Sequence, residues 1–186
     1  MKILLTITLI LIPFLSFAQN LTLEQFLMLH SMDSNKTINY LKKKAWKISS
    51  LTNEKGNIFI VLNHKPETNY EYLANKTVSV SKNQYIRRNE ESRIQLFSSS
   101  QNVVKSISLE IFNPQIFKKF KSGLKNNKYS IFDHFFLGDK MVQLYKRNST
   151  IIRVLTTKSK NSSFQKINLW KVTVMSEDYY SNYFIE

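Results

Sequence analysis

The stretch Leu41-Lys42-Lys43-Lys44-Ala45-Trp46-Lys47-Ile48 has a counterpart 83 residues further on, Leu124-Lys125-Asn126-Asn127-Lys128-Tyr129-Ser130-Ile131. Leucine, lysine, an aromatic residue and isoleucine stand at matching places. Continued without a gap, Ile58–Leu62 falls on Met141–Tyr145. In both stretches helical apolar spacing gives way to strand-like alternation. The reading expects an α+β fold of two tandem helix-plus-antiparallel-sheet copies packed into one compact unit. The first half spans residues 19–112 and the second residues 113–186. A repeat this long implies two packed copies, since a solenoid needs three or more. Leu41 is expected to superpose on Leu124, and Trp46 on Tyr129.

Working outward, Thr22 and Gln25 form a capping box, and Leu21 and Phe26 stand where a hydrophobic staple closes. This predicts a helix over 23–31. Asp33 or Ser34 caps a second helix over 34–45, with Ile38, Leu41 and Ala45 on one face. Trp46–Leu51 and Ile58–Leu62 flank a glycine-containing hairpin loop. From His64 to Asn75 the chain is polar and reads as a loop. Short strands are expected at Thr77–Ser81 and Arg93–Phe97, and a clearly alternating one from Val103 to Ile111. Asn113 at N-cap with Pro114 at N1 predicts a helix over 114–127. Tyr129–Leu137, Gly138-Asp139 and Met141–Tyr145 read as a hairpin. Thr150–Thr157 and Lys166–Met175 read as strands, and the segment from Asp178 to Phe184 fits either a helical turn or a strand.

The N-terminus carries Lys2, an apolar run from Ile3 to about Leu15, and Ser16-Phe17-Ala18 before Gln19. That pattern predicts a signal peptide at residues 1–18, cleaved between Ala18 and Gln19, and a periplasmic or secreted product. The run is shorter than the roughly 20 apolar residues a spanning helix needs, and Pro13 interrupts it. With no cysteine in 186 residues, disulfides, thiolate metal sites and a cysteine nucleophile are excluded. The net charge is +14, from 27 Lys plus Arg against 13 Asp plus Glu. Such a balance suits an anionic partner, but the abundance of Lys, Asn, Ile and Phe also follows from AT-rich coding. The Asn-x-Ser/Thr triplets at Asn20, Asn35, Asn75, Asn148 and Asn161 bear on function only in a eukaryotic secretory route.

The signal ending Ser-Phe-Ala-Gln, the short capped helices and the Tyr40–Trp46 helix exit resemble small exported proteins of unassigned function from AT-rich Gram-negative bacteria. The resemblance implies a periplasmic or secreted location and transfers no active site. In architecture the halves are similar to the tandem helix-on-sheet modules of envelope inhibitors and assembly factors.

Residue types that carry chemistry are sparse. His30, His64 and His134 lie in none of the spacings that bring two imidazoles to one zinc. Asp133 and His134, adjacent in a predicted strand, point to opposite faces and make no local base–orienter pair. The three glycines, at 56, 123 and 138, form neither a nucleophile elbow nor a phosphate loop. The carboxylate pairs Glu67/Glu71 and Glu90/Glu91 fall in polar segments that read as solvated surface. Trp46 and Tyr129 read as anchors closing helix on sheet rather than as a ligand platform.

The expectation is therefore a non-catalytic, exported binding protein without cofactor or metal, whose partner is another protein. The alternative is a basic module that binds an anionic lipid head group or acidic glycan. An enzyme without a recognisable motif comes next, and nucleic acid ranks last among the anions. The candidate anion-binding residues are Lys118, Lys119, Lys121 and Lys125 with Lys42, Lys43 and Lys44. The candidate interface is Tyr179, Tyr180, Tyr183 and Phe184, more aromatic surface than one short segment usually buries.

Overall fold

The structure, a computed structural model, describes residues 21–54, 56–64, 92–160 and 166–184. The signal peptide, the strand at Thr77–Ser81 and the carboxylates Glu67, Glu71, Glu90 and Glu91 lie outside the described residues. Two helices open the described chain, α1 (Leu23–Ser31) and α2 (Ser34–Lys43). Four strands follow: β1 (Lys47–Glu54), β2 (Asn57–His64), β3 (Ser92–Ser99) and β4 (Val104–Ile111). After α3 (Pro114–Asn126) come β5 (Ser130–Leu137), β6 (Lys140–Arg147), β7 (Thr150–Lys160) and β8 (Lys166–Ser176), and then α4 (Glu177–Tyr183).

The local signals for these helices have direct physical counterparts. Thr22 N–H donates to Gln25 Oε1 at 3.0 Å, and Gln25 N–H donates to Thr22 Oγ1 at 3.2 Å. Leu21 and Phe26 are both buried. Asp33 accepts from Lys36 N–H to cap α2, and Asn113 accepts from Gln115 and Ile116 to cap α3. The segment left open between helix and strand is α4. Ser176 caps it, and Glu177 and Asp178 meet the positive end of its dipole.

Both α2 and α3 leave through a left-handed residue, Ala45 with φ 63° and Lys128 with φ 58°. Trp46 N–H then donates to Leu41 O, and Tyr129 N–H to Leu124 O, at 3.1 and 3.0 Å. This is the Schellman geometry, which satisfies carbonyls that the helix end would otherwise leave unpaired. β1 and β5 each carry a register shift just after this exit, between Ile48 and Ser50 and between Ile131 and Asp133.

The two tandem helix-plus-sheet copies expected from the sequence are overturned by the sheet itself. Among the described residues all eight strands form one antiparallel sheet in the order β1-β2-β3-β4-β8-β7-β6-β5, and four unequally placed helices accompany it. The seam is β4 against β8, running from Ser106↔Met175 to Ile111↔Trp170. Pairing there removes two edges that two separate sheets would have to protect. It also aligns Ile107 with Val174 and Leu109 with Val172, so the apolar layer continues across the join.

Helices α1, α2 and α3 cover one face. Its core joins Leu23, Phe26, Leu29 and Leu41 to Ile60, Leu62, Ile94, Leu96, Ile107, Leu109, Ile152, Val154, Val172 and Val174. Phe26 meets Phe120 edge-on at 5.9 Å, and Phe117 stacks on Trp170 at 4.5 Å. α1 and α3 approach so closely that a Cβ on Gly123 would lie 3.1 Å from Leu23 Cβ. A second, smaller cluster of Val142, Leu144, Ile151, Met175 and Tyr180 lies on the opposite face, under α4. Among the described residues no helix is long and apolar enough to cross a membrane.

Candidate binding surfaces

The lysines singled out from the sequence all lie exposed. Lys118, Lys119, Lys121 and Lys125 occupy the outer side of α3, Lys42 and Lys43 end α2, and Lys44 is its C-cap. The aromatic candidates occupy α4 and its C-cap and divide in two. Tyr180 is buried and Tyr179 half-buried, whereas Tyr183 and Phe184 are exposed. The four rings stack on one another: Tyr179 on Tyr183 at 4.6 Å, and Tyr180 parallel to Phe184 at 6.0 Å. Phe97 of β3 and Phe132 of β5 extend the cluster to 5.8 Å from Tyr179 and 6.4 Å from Tyr180.

The two edges of the sheet differ sharply, and this was not read from the sequence. Every residue of β1 and of β5 is exposed. β1, Lys-Ile-Ser-Ser-Leu-Thr-Asn-Glu, carries only Ile48 and Leu51 as large apolar residues. β5, Ser-Ile-Phe-Asp-His-Phe-Phe-Leu, exposes Ile131, Phe132, Phe135, Phe136 and Leu137, with Phe136 at 74%. It contains neither lysine nor arginine, although those make up 27 of the 186 residues. Natural edge strands are blunted with charge. Among the described residues the protections of this edge are the bulge after Ile131 and the pair Asp133-His134. An alternating strand signal would have revealed one outward face. The run Phe135-Phe136-Leu137 instead puts apolar groups on both.

The face away from α1, α2 and α3 carries polar residues in register. Arg93, Glu110 and Lys171 lie directly opposite one another on β3, β4 and β8. The next row runs Gln95, Ser108, Thr173 and Arg153, from β3 to β7. Arg93 Nη1 stands 3.8 Å from Glu110 Oε2. Lys171 Nζ donates to Gln95 Oε1, and the Ser108 and Thr173 hydroxyls are 2.8 Å apart. The Arg153 guanidinium lies 5.3 Å from the centre of the Phe184 ring. Burial lowers the Lys171 ammonium below its ordinary value. Glu110 opposes that shift, and Arg153 and Arg93 add to it. Burial also lowers Arg153.

The histidines separate. His64, expected in a loop, ends β2 and is buried edge-on against Trp46 at 5.4 Å. His30 has its Nε2 buried without a hydrogen-bond partner, and burial lowers its pKa. His134 stands on the exposed β5. Among the described residues no group of three or more His, Asp or Glu could hold a metal ion. No family model, curated protein or solved structure matches the chain.

Proposed function

We propose that the protein is a non-catalytic binding protein whose partner is another protein, docked along the free edge of β5. One observation carries this reading: five large apolar side chains exposed on an eight-residue edge strand that bears no basic residue. An edge strand offers a row of unpaired N–H and C=O groups. A partner segment that pairs with it gains main-chain hydrogen bonds and places alternate side chains on the two faces. The apolar groups of β5 supply the burial that such an added strand needs, and Phe132 continues the surface into Tyr180 and Phe184. The partner expected is an extended, apolar segment of another protein.

The test is parallel affinity capture from an extract of the source cells, with wild type and with Phe136→Lys/Leu137→Lys. Both side chains are exposed, so the variant should keep its circular dichroism and melting temperature. A protein retained by the wild type and lost with the variant is the expected result. Identical retained sets would refute docking at β5.

A further inference from the structure

Given docking at β5, the pattern of the strand itself selects the occupant. Opposed residues of paired strands share a face of the sheet. Asp133 and Phe135 lie opposite Leu144 and Val142, which pack under α4, so they stand on that face together with Leu137. His134 and Phe136 stand on the other. Two copies of β5 related by a two-fold axis run antiparallel, with the axis perpendicular to the sheet, so each residue meets one from its own face. Every such register is centred on a residue. Centring on Asp133 or His134 opposes two carboxylates or two imidazoles. Centring on Phe136 sets Asp133 against Asp139 of the second copy. Centring on Phe135 avoids these conflicts: it opposes Phe135 to itself, His134 to Phe136 and Asp133 to Leu137. Aromatic pairs across a ladder stabilise it, and like charges directly opposite weaken it.

Area and charge select the same contact. Phe132, Phe135 and Phe136 are 46%, 39% and 74% exposed, and Ile131 and Leu137 about half. At about 150–250 Å² per ring, the five side chains expose on the order of 500 Å² per copy. A pair therefore offers about 1,000 Å², the least a specific interface needs, before the backbone is counted. Two copies at net charge +14 repel each other, and β5, with no Lys or Arg, is an edge along which they approach at low cost. β1 carries Lys47 and Glu54 and exposes only Ile48 and Leu51 as large apolar groups. A β5–β5 contact is also closed, whereas β5 on β1 would continue from copy to copy without end. We propose that two copies of the chain pair through β5 about a two-fold axis at Phe135, joining two eight-stranded sheets into one with β1 at either end.

The test is sedimentation of the protein as its cells make it, over a range of concentration and salt. A monomer–dimer equilibrium is expected, with the dimer gaining as salt screens the repulsion between copies. A monomer under all conditions overturns self-pairing, as does a dimer that dissociates when salt rises, or assembly that grows beyond two. This wild-type readout depends on no variant. Phe136→Lys removes two rings from each interface and should weaken dimerisation about a hundredfold or more. Leu51→Lys should change it less than about twofold, and equal losses in the two would overturn the assignment. The register is read by a single introduced thiol, since the chain has no cysteine. Directly opposed Cα atoms are about 4.5–5.5 Å apart, within disulfide reach, so oxidised Phe135→Cys should form a covalent dimer. In Phe136→Cys the two sites lie about 8 Å apart, beyond that reach, and faster bridging there would overturn the register. A photo-crosslinker at Phe136 separates self-pairing from the docking on which it rests. An adduct of twice the chain's mass supports both. An adduct of another mass overturns self-pairing and leaves docking at β5 standing, and no adduct at all overturns both.

Discussion

Ala45→Gly should make the protein more stable, against the usual effect of adding a glycine. Ala45 sits at φ 63°, where an L residue's Cβ crowds the following carbonyl. That conformation costs a non-glycine residue about 1–2 kcal/mol, and glycine adopts it freely. Glycine also gives the unfolded chain more freedom, which returns about 0.4–1 kcal/mol. The net gain is therefore about 0.5–1 kcal/mol, or roughly 1–4 °C in melting temperature for a chain of this size. The side chain is exposed, so no packing is lost. Lys128→Gly removes the same strain at φ 58° but also a cation near the end of α3, worth about 0.3–1 kcal/mol there, and should gain less. Asn102 and Asn148, at φ 62° and 53°, tolerate this region, so glycine there should gain least. The assay is urea unfolding followed by circular dichroism, with the slope checked for constancy so that midpoints report stability. The two exits precede opposite edges of an eight-stranded sheet, on the order of 30 Å apart. The double variant should therefore be additive. A loss of stability in Ala45→Gly, with gains at Asn102 or Asn148, would refute the reasoning.

Three further outcomes follow from the packing. His30 has a folded pKa below its unfolded one, so its contribution is present above pH ~6.5 and is lost as pH falls through the folded value. Unfolding free energy measured from pH 8 to pH 5 should fall on that limb, and His30→Gln should flatten it. Gly123→Leu should lower stability by about 1–3 kcal/mol in thermal melts, since the added side chain meets Leu23. Ser108→Ala should cost about 1 kcal/mol by leaving the buried Thr173 hydroxyl without its partner. Much of that loss should vanish when Thr173→Val is added, a coupling that a double-mutant cycle reads directly.

Signals that act over a few residues were legible in the sequence. The Thr22 capping box, the Asn113-Pro114 start and the Gly138-Asp139 turn each settle their geometry within one turn of chain. The α4 helix was left open, because the tyrosines from Tyr179 on fit strand and helix alike, and its Ser176 cap with Glu177 and Asp178 in the first turn emerges only from the structure. What the sequence could not reveal is pairing at long range. Nothing local in Ser106–Ile111 says that its neighbour is Trp170–Met175, some 65 residues away, so two sheets were expected where there is one. The same gap hid the candidate sites. Alternation puts Arg93, Arg153 and Lys171 on some outward face, but only the register puts them on the same one. The apolar run of β5 reads as core by composition, and only its place at the end of the strand order leaves it exposed.

The central claim is that a protein partner docks on β5, and a photo-crosslinking amino acid compares the two edges directly in the cells that make the protein. Placed at Phe136 on β5 and, separately, at Leu51 on β1, both exposed, it samples equivalent edges of one sheet. The account predicts a discrete protein adduct from Phe136 and none from Leu51. Adducts of equal yield from both edges, or from Leu51 alone, would contradict it.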